Sequence, residues 1–233
     1  MTENSTLLTR VFDQLASDIV SGTYMEGSTF TLNDICDRFG ISRTVAREAM
    51  RALEQVHMVR SSRRVGITVL PQSEWSVFDP RVIAHRLGNA EELPHQLRSL
   101  TELRIAVEPV AAAAMADHAT EEEREELLTI AKKLRRLGET GRGDSREFLT
   151  LDIEFHILIL RSSRNEMFSA LAPAVAEVLK GRTQFGLQPA HPAAEALDRH
   201  DAVAESIQRG DRAAAEMHSR ALLTEVTQAL ADV

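Results

Sequence analysis

Apolar residues recur at helical spacing almost from the start of the chain. Leu8, Val11, Phe12, Leu15 and Ile19 share one face, and Ser21 and Gly22 close that first predicted helix. Residues 23–30, with Gly27 and several turn formers, read as a connector. A short helix is predicted over 31–39, stopped by Gly40. Ser42 is a suitable N-cap for a third helix over 43–55, whose Val45, Ala46, Ala49, Met50 and Leu53 form an apolar side. The period then changes to two short strands, 58–61 and 67–70, around an Arg- and Gly-bearing tip, and Pro71 ends the unit. Residues 72–93 read as a linker carrying one short helix near 82–87. From residue 94 the helical period returns, predicting helices over 94–117, 121–137, 144–162, 166–187, 193–208 and 211–231. Gly138, Gly141, Gly143 and Gly210 mark breaks, and Pro109 and Pro173 lie inside helical patterns where they predict kinks. The expected fold is mainly α: a winged helix-turn-helix over 1–71, a linker over 72–93 and an all-helical bundle over 94–233.

Composition adds exclusions. The 233 residues are 43% hydrophobic and 27% charged, which rules out a disordered tail, and only 4% aromatic, which disfavours a sandwich or barrel. No uncharged apolar run approaches the ~18–20 residues of a membrane helix, and the first ten residues lack the basic and apolar regions of a signal peptide. No membrane partner and a cytoplasmic location are therefore expected. The single cysteine, Cys36, excludes an internal disulfide framework and a multi-cysteine zinc site.

The net charge of −8 argues against nucleic acid until its distribution is considered. Residues 38–66 carry seven arginines against Glu48 and Glu54, so a basic island adjoins an acidic remainder. On the third predicted helix Arg43, Thr44, Arg47 and Arg51 occupy the side away from the apolar face. Ser42, Arg43 and Thr44 stand at its N-terminus, where side chains enter a major groove and backbone N–H groups can hold a phosphate. Arg63 and Arg64 sit at the tip of a wing, where Gly66 would let the backbone approach DNA. Each arginine can read a guanine edge or neutralise a phosphate, and the residues alone leave both open. A solvated basic face is the bland alternative.

The strings Ile19-Val-Ser-Gly-Thr-Tyr-Met-Glu-Gly27 and Phe39-Gly-Ile-Ser-Arg-Thr-Val-Ala-Arg-Glu-Ala-Met-Arg-Ala-Leu-Glu54 resemble the GntR family of bacterial transcription regulators across residues 7–70. The resemblance implies that Ser42, Arg43, Thr44, Arg47 and Gly66 contact DNA. One departure is Asn33, which stands where the family often has an arginine.

The helical half carries polar residues in apolar places. Phe148, Leu151, Phe155 and Ile159 define one inward face; Asp152 falls in its middle and His156 on its flank. His200 lies within the stripe of Leu197, Val203, Ala204 and Ile207. Arg104 lies among Leu100, Val107 and Ala111, one turn before Glu108. Singly, each can be a satisfied core residue, and Arg104 with Glu108 an ion pair. Together they point to a polar pocket inside the bundle. Asp152, His156 and His200 suit a borderline divalent metal, zinc or nickel, and Arg104 would pair with an acidic effector.

This half resembles the FadR-type branch of the same family, with its FCD ligand-binding domain, through Glu102-Leu-Arg-Ile-Ala-Val-Glu-Pro109, the Asp152/His156 spacing, and Arg199-His200 followed by Gly210-Asp211. The branch binds a metal through an Asp and three His, with a carboxylate effector beside it. Asp152, His156 and His200 match three positions. Leu222 occupies the fourth, and His218, one turn earlier, is a candidate substitute. Residues 75–83, with Arg220-Ala-Leu-Leu223, resemble the galactonate and sugar-acid repressors of the branch.

The leading expectation is a homodimeric repressor that binds double-stranded operator DNA under control of a small carboxylate or sugar acid, and not an enzyme. The alternatives are a metal-dependent hydrolase using Asp152, His156 and His200, and a pure metal sensor.

Overall fold

The structure is a computed structural model describing residues 3–184, 186 and 188–231. It divides into two compact units, Met1–Leu93 and Pro94–Val233, and is mainly α in both. In the first unit α1 (Glu3–Val20) lays Val11, Phe12, Leu15 and Ile19 into the core. Local chemistry sets the next two helices. The Thr31 hydroxyl accepts from the Asp34 amide at 3.2 Å while Asp34 Oδ2 accepts from the Thr31 amide at 2.7 Å. This reciprocal cap starts α2 (Leu32–Phe39). Gly40 ends it at φ 61, a left-handed turn that costs glycine little. Ser42 Oγ then accepts from the Val45 amide and starts α3 (Arg43–Gln55), whose apolar face packs on α1.

The sheet has three strands, not two. Strand β1 (Thr29–Phe30), within the expected connector, pairs with β3 (Gly66–Val69), which also pairs with β2 (Val59–Ser62), giving the antiparallel order β1-β3-β2. A two-residue strand is too short to show alternation, so its sequence reads as a turn. The 72–93 segment, expected to be a linker, packs into the first unit. After a 3-10 turn (Gln72–Glu74), Trp75 enters the core and donates to Leu70 O at 3.0 Å, and Val82 of α4 (Pro80–Leu87) joins the same cluster.

The second unit is a helical bundle of α5 (Leu93–His118, whose first residue belongs to the first unit), α6 (Glu121–Glu139), α7 (Arg146–Ser162), α8 (Glu166–Ala170), α9 (Ala172–Gln184), α10 (Ala194–Gln208) and α11 (Arg212–Ala231). Leu127, Leu134, Phe155, Ile159, Val203 and Ile207 lie at its centre. No helix among the described residues is long and apolar enough to cross a membrane.

Three expectations about punctuation change here. The helix predicted over 166–187 is two helices parted at Leu171, and Pro173 sits in the first turn of α9, where a missing N–H costs no bond. Pro109 is passed by an unbroken α5. It leaves Ile105 O without its helical donor, and Arg220 Nη1 of α11 donates to that oxygen at 3.3 Å. Gly138 is no break but lies inside α6, where an added Cβ would come within 2.8 Å of the Leu197 side chain, so its missing side chain lets α10 approach.

Gly66 couples the wing to β1. It holds φ 103, and a Cβ there would stand 2.8 Å from Phe30 O. Gly66→Ala should therefore destabilise the first unit by roughly 1–3 kcal/mol, read as a lower urea midpoint; an unchanged midpoint would show that β1 yields freely.

Candidate functional site

In the first unit nearly all of the residues expected to meet DNA are open to solvent. Ser42, Arg43, Thr44, Arg47 and Arg51 on and before α3, and Arg63 and Arg64 at the wing tip, are exposed, with Gly66 half-buried. Arg43, Asn33 and Gly66 line one cleft between the start of α3 and the wing. Arg43 Nη2 donates to Asn33 Oδ1 at 2.7 Å, so the residue that departs from the family pattern steadies a neighbouring arginine. Ser42 spends its hydroxyl on the helix cap, and Arg51 pairs with Glu48 at 2.7 Å.

In the second unit, Asp152 and His156 from α7 and His200 from α10 converge, with one donor atom each within 4.8 Å of the others. They line a cavity of about 210 Å³ together with Arg104, Arg182 and Leu222. All three are buried despite their polarity, so their partners decide what the site is.

Those partners orient the rings. His200 Nδ1 lies 2.8 Å from Ala196 O, which can only accept, so Nδ1 carries the proton. His156 Nδ1 lies 2.7 Å from Glu108 Oε2, which can only accept, so the proton belongs on Nδ1 although the pair falls short of hydrogen-bond angles. Both rings therefore turn Nε2 toward Asp152 Oδ1, at 3.3 Å from His200 and 3.6 Å from His156. In neutral imidazoles those nitrogens are lone pairs. With neutral rings, the three groups face one another as electron-pair donors and call for a cation among them; protonated, each ring instead turns an Nε2–H toward Asp152 Oδ1, and their charge holds that carboxyl low. Ring N–H groups held by a carboxylate and a carbonyl are the outer partners that orient metal-binding histidines, so the donor set fits a divalent ion.

Charge is balanced by a second layer. Arg104 and Glu108 are each only 1% exposed, and Arg104 Nε donates to Glu108 Oε1 at 2.5 Å. Burial alone would raise the Glu108 pKa, but Arg104 and His156 outweigh it and hold the carboxyl at about 2. Burial likewise opposes the Asp152 charge; His200, His156 and Arg182 overcome it and lower the pKa well below the usual carboxylate range. The ion pair between Arg104 and Glu108 does not exhaust the arginine, because Nη1 is buried without a hydrogen-bond partner among the described residues.

No protein donor fills the fourth ligand position among the described residues. Leu222 presents an apolar wall to the cavity, and His218 is not among the groups whose donor atoms converge among the described residues. The cavity mouth is formed by the segment after α9: Gln188, Pro189, Pro192 and Ala193 line it. That segment rests on a glycine seat, where the Gly143 amide donates to Ala190 O at 2.7 Å and a Cβ on Gly143 would come within 2.5 Å of Pro192.

Sequence reasoning missed Arg182. It lies seven residues after Val175 and three after Leu179, both core positions of α9. A charge on an apolar stripe was the signal that singled out Asp152 and His200, and it was present here too.

The buried pair makes stability depend on acid. A folded-state pKa below the ordinary 4.5 means that Glu108 stabilises the fold above the usual carboxylate range and loses that contribution as pH falls toward about 2. Glu108→Gln should cost about 3–5 kcal/mol at pH 7 by stranding the Arg104 charge, and should flatten the acid limb of a stability–pH profile between about 4.5 and 2. A parallel, unflattened profile would remove Glu108 from the ion pair.

Comparison with known proteins agrees with this layout. Residues 7–69 match the family described as bacterial regulatory proteins, gntR family, and residues 99–225 match the FCD domain. The galactonate operon transcriptional repressor of Escherichia coli (strain K12) is 28% identical over 237 residues, covering 100% of both chains. The Uxu operon regulator of Haemophilus influenzae is 28% identical over 164 residues, covering 70% of this chain and 57% of its own. Among solved structures, a Streptococcus agalactiae GntR protein shares the fold at 18% identity with a TM-score of 0.53, covering 95% of this chain and 99% of its own. The hydrolase reading of Asp152, His156 and His200 is not favoured, because the matched families and relatives are regulators. The chain belongs to the gntR family of bacterial regulatory proteins, as a DNA-binding transcription regulator with a C-terminal FCD effector domain.

Proposed function

We propose that the protein is a homodimeric repressor whose operator binding is controlled by a small sugar acid or related carboxylate, taken up in the second unit beside a divalent metal, zinc or nickel. The observation that carries the reading is the buried cavity itself. It combines three inward-turned metal donors, Asp152 Oδ1, His156 Nε2 and His200 Nε2, with an arginine nitrogen, Arg104 Nη1, that lacks an acceptor. A cavity of about 210 Å³ has the volume of roughly seven waters at ~30 Å³ each, which suits a small acid. The likeness to a galactonate operon transcriptional repressor supports a sugar acid as the effector class.

Asp152, His156 and His200 would hold the ion. Bound there, it would supply Lewis acidity toward an oxygen of the ligand. With Leu222 in the fourth place the protein provides three donors, leaving room for that oxygen. Arg104 draws the negative charge of the acid. Because α5, α7 and α10 each contribute, the ligand favours whichever arrangement of these helices brings the donors together, which is the differential contact an allosteric ligand needs. Two-fold symmetric operators read by winged helices require two reading heads, hence the dimer. The metal-only sensor is separated by adding zinc without acid.

Two outcomes are expected. Arg43→Ala and Arg47→Ala should each abolish specific operator binding at physiological salt while leaving the fold intact. A lost base contact costs ~1–3 kcal/mol at one position, whereas a lost phosphate contact weakens all sequences and lowers the salt slope by about 1. Gel-shift titration across salt separates these, and parental affinity in the double variant would move the reading face elsewhere.

The second outcome concerns the cavity. His200→Ala should lose both zinc binding and acid-induced release of operator, while basal operator binding persists. Arg104→Gln combined with Glu108→Gln, which removes both charges together, should lose the acid and weaken zinc, since Glu108 orients His156, without abolishing it as His200→Ala does. Calorimetric titration beside a DNA-release assay checks both; a normal acid response in His200→Ala would refute the metal-bearing pocket.

A further inference from the structure

One charged group at the cavity has no task so far. Arg182 stands in the last turn of α9, on the stripe of Val175 and Leu179, and lines the cavity with Arg104. Its Nη2 donates to Gln188 Oε1 at 3.3 Å, tying the start of the mouth segment to α9. Its Nε is buried and, like Arg104 Nη1, has no hydrogen-bond partner among the described residues. Two guanidinium groups from two helices thus each hold one unclaimed donor beside the same small cavity, closed off from water.

The electrostatics make this costly as it stands. Burial lowers the Arg182 pKa, the Asp152 carboxylate opposes that, and the like charge of Arg104 adds to the lowering. Asp152 accepts from neither orphan nitrogen, and Arg104 is engaged with Glu108. An anion between the guanidiniums would fill both orphan donors and cancel their repulsion at once. A neutral ligand could do only the first.

We propose that Arg182 is the second jaw of a carboxylate clamp, with one effector oxygen accepting from Arg104 Nη1 and the other from Arg182 Nε, while hydroxyl groups of the same molecule face Asp152, His156 and His200. The clamp rests on the reading of this cavity as an effector site, and it deepens that reading in one respect. Acid recognition belongs to the arginine pair, whereas the metal donors read the hydroxyls. The effector class is then a small hydroxy acid, and the corresponding neutral sugar is refused.

The test is calorimetric titration of the full chain, its Arg182→Gln variant and its Arg182→Lys variant. The probes are galactonate, gluconate, galacturonate, neutral galactose, and zinc alone, with thermal unfolding to confirm that each variant is folded. The clamp predicts that the parent binds at least one acid and not galactose. Arg182→Gln should weaken that acid roughly 10–100-fold, the range of one charge-assisted hydrogen bond. Arg182→Lys should restore part of the loss, because it returns the charge without the fixed fork. Zinc affinity in Arg182→Gln should be unchanged or tighter, since a positive neighbour is removed from Asp152. Parental acid affinity in Arg182→Gln overturns the clamp and leaves the effector cavity standing. Loss of zinc together with acid also overturns it, by showing that Arg182 acts only through Asp152. A parent that binds none of the acids, with or without zinc, overturns both the clamp and the effector reading.

Discussion

The second unit depends on one constraint: charges withdrawn from water must find partners within reach. Arg104 and Glu108 are almost fully buried one helical turn apart, and their pairing permits the rest. Glu108 fixes His156, His156 and His200 turn toward Asp152, and the carboxylate of Asp152 is tolerated in the core because cationic and polar groups surround it. Removing the ion pair would expose the next group in the chain to an uncompensated environment. The polar interior is therefore a connected set rather than four separate residues. That connection explains how a bundle otherwise packed with Leu, Ile and Phe keeps a cavity open.

The first unit obeys a different constraint, that of local caps. Thr31 with Asp34, Gly40 and Ser42 fix where α2 ends and α3 begins, so the arginines of α3 are displayed by backbone chemistry before any DNA is present. The wing is held by β1, whose two residues pair with β3, and by Gly66, which admits that strand. The candidate residues of this unit are chiefly exposed side chains, and those of the other are buried ones.

How much was legible in the sequence follows from this contrast. The helix-turn-helix could be read because caps, apolar stripes and basic residues are all local signals. Asp152, His156, His200 and Arg104 could be read because a polar residue on an apolar stripe is costly and therefore conspicuous. Strand β1 could not, since two residues have no period. The packing of 72–93 could not, because Trp75 and Val82 are anchors without a pattern around them. Gly138 was ambiguous, as a missing side chain looks the same in a turn and at a close helix contact. Arg182 escaped because a basic residue at a helix C-terminus ordinarily complements the helix dipole, which hid its place on the buried stripe.

Proline at position 109 has a consequence for how the bundle can move. Inside a helix nearly every carbonyl is already bonded to the amide four residues on, so a carbonyl relieved of that amide is the more open acceptor for a neighbouring helix. Pro109 opens one such acceptor in mid-span, at Ile105, and Arg220 of α11 occupies it. The contact works as a register mark. α11 can rock about that point and keep it, but sliding by one turn along α5 would give it up. Leu222 and Leu223, two residues beyond Arg220 and onward, form part of the cavity wall. A side chain usually regarded as a helix breaker thus gives that wall one fixed point along α5.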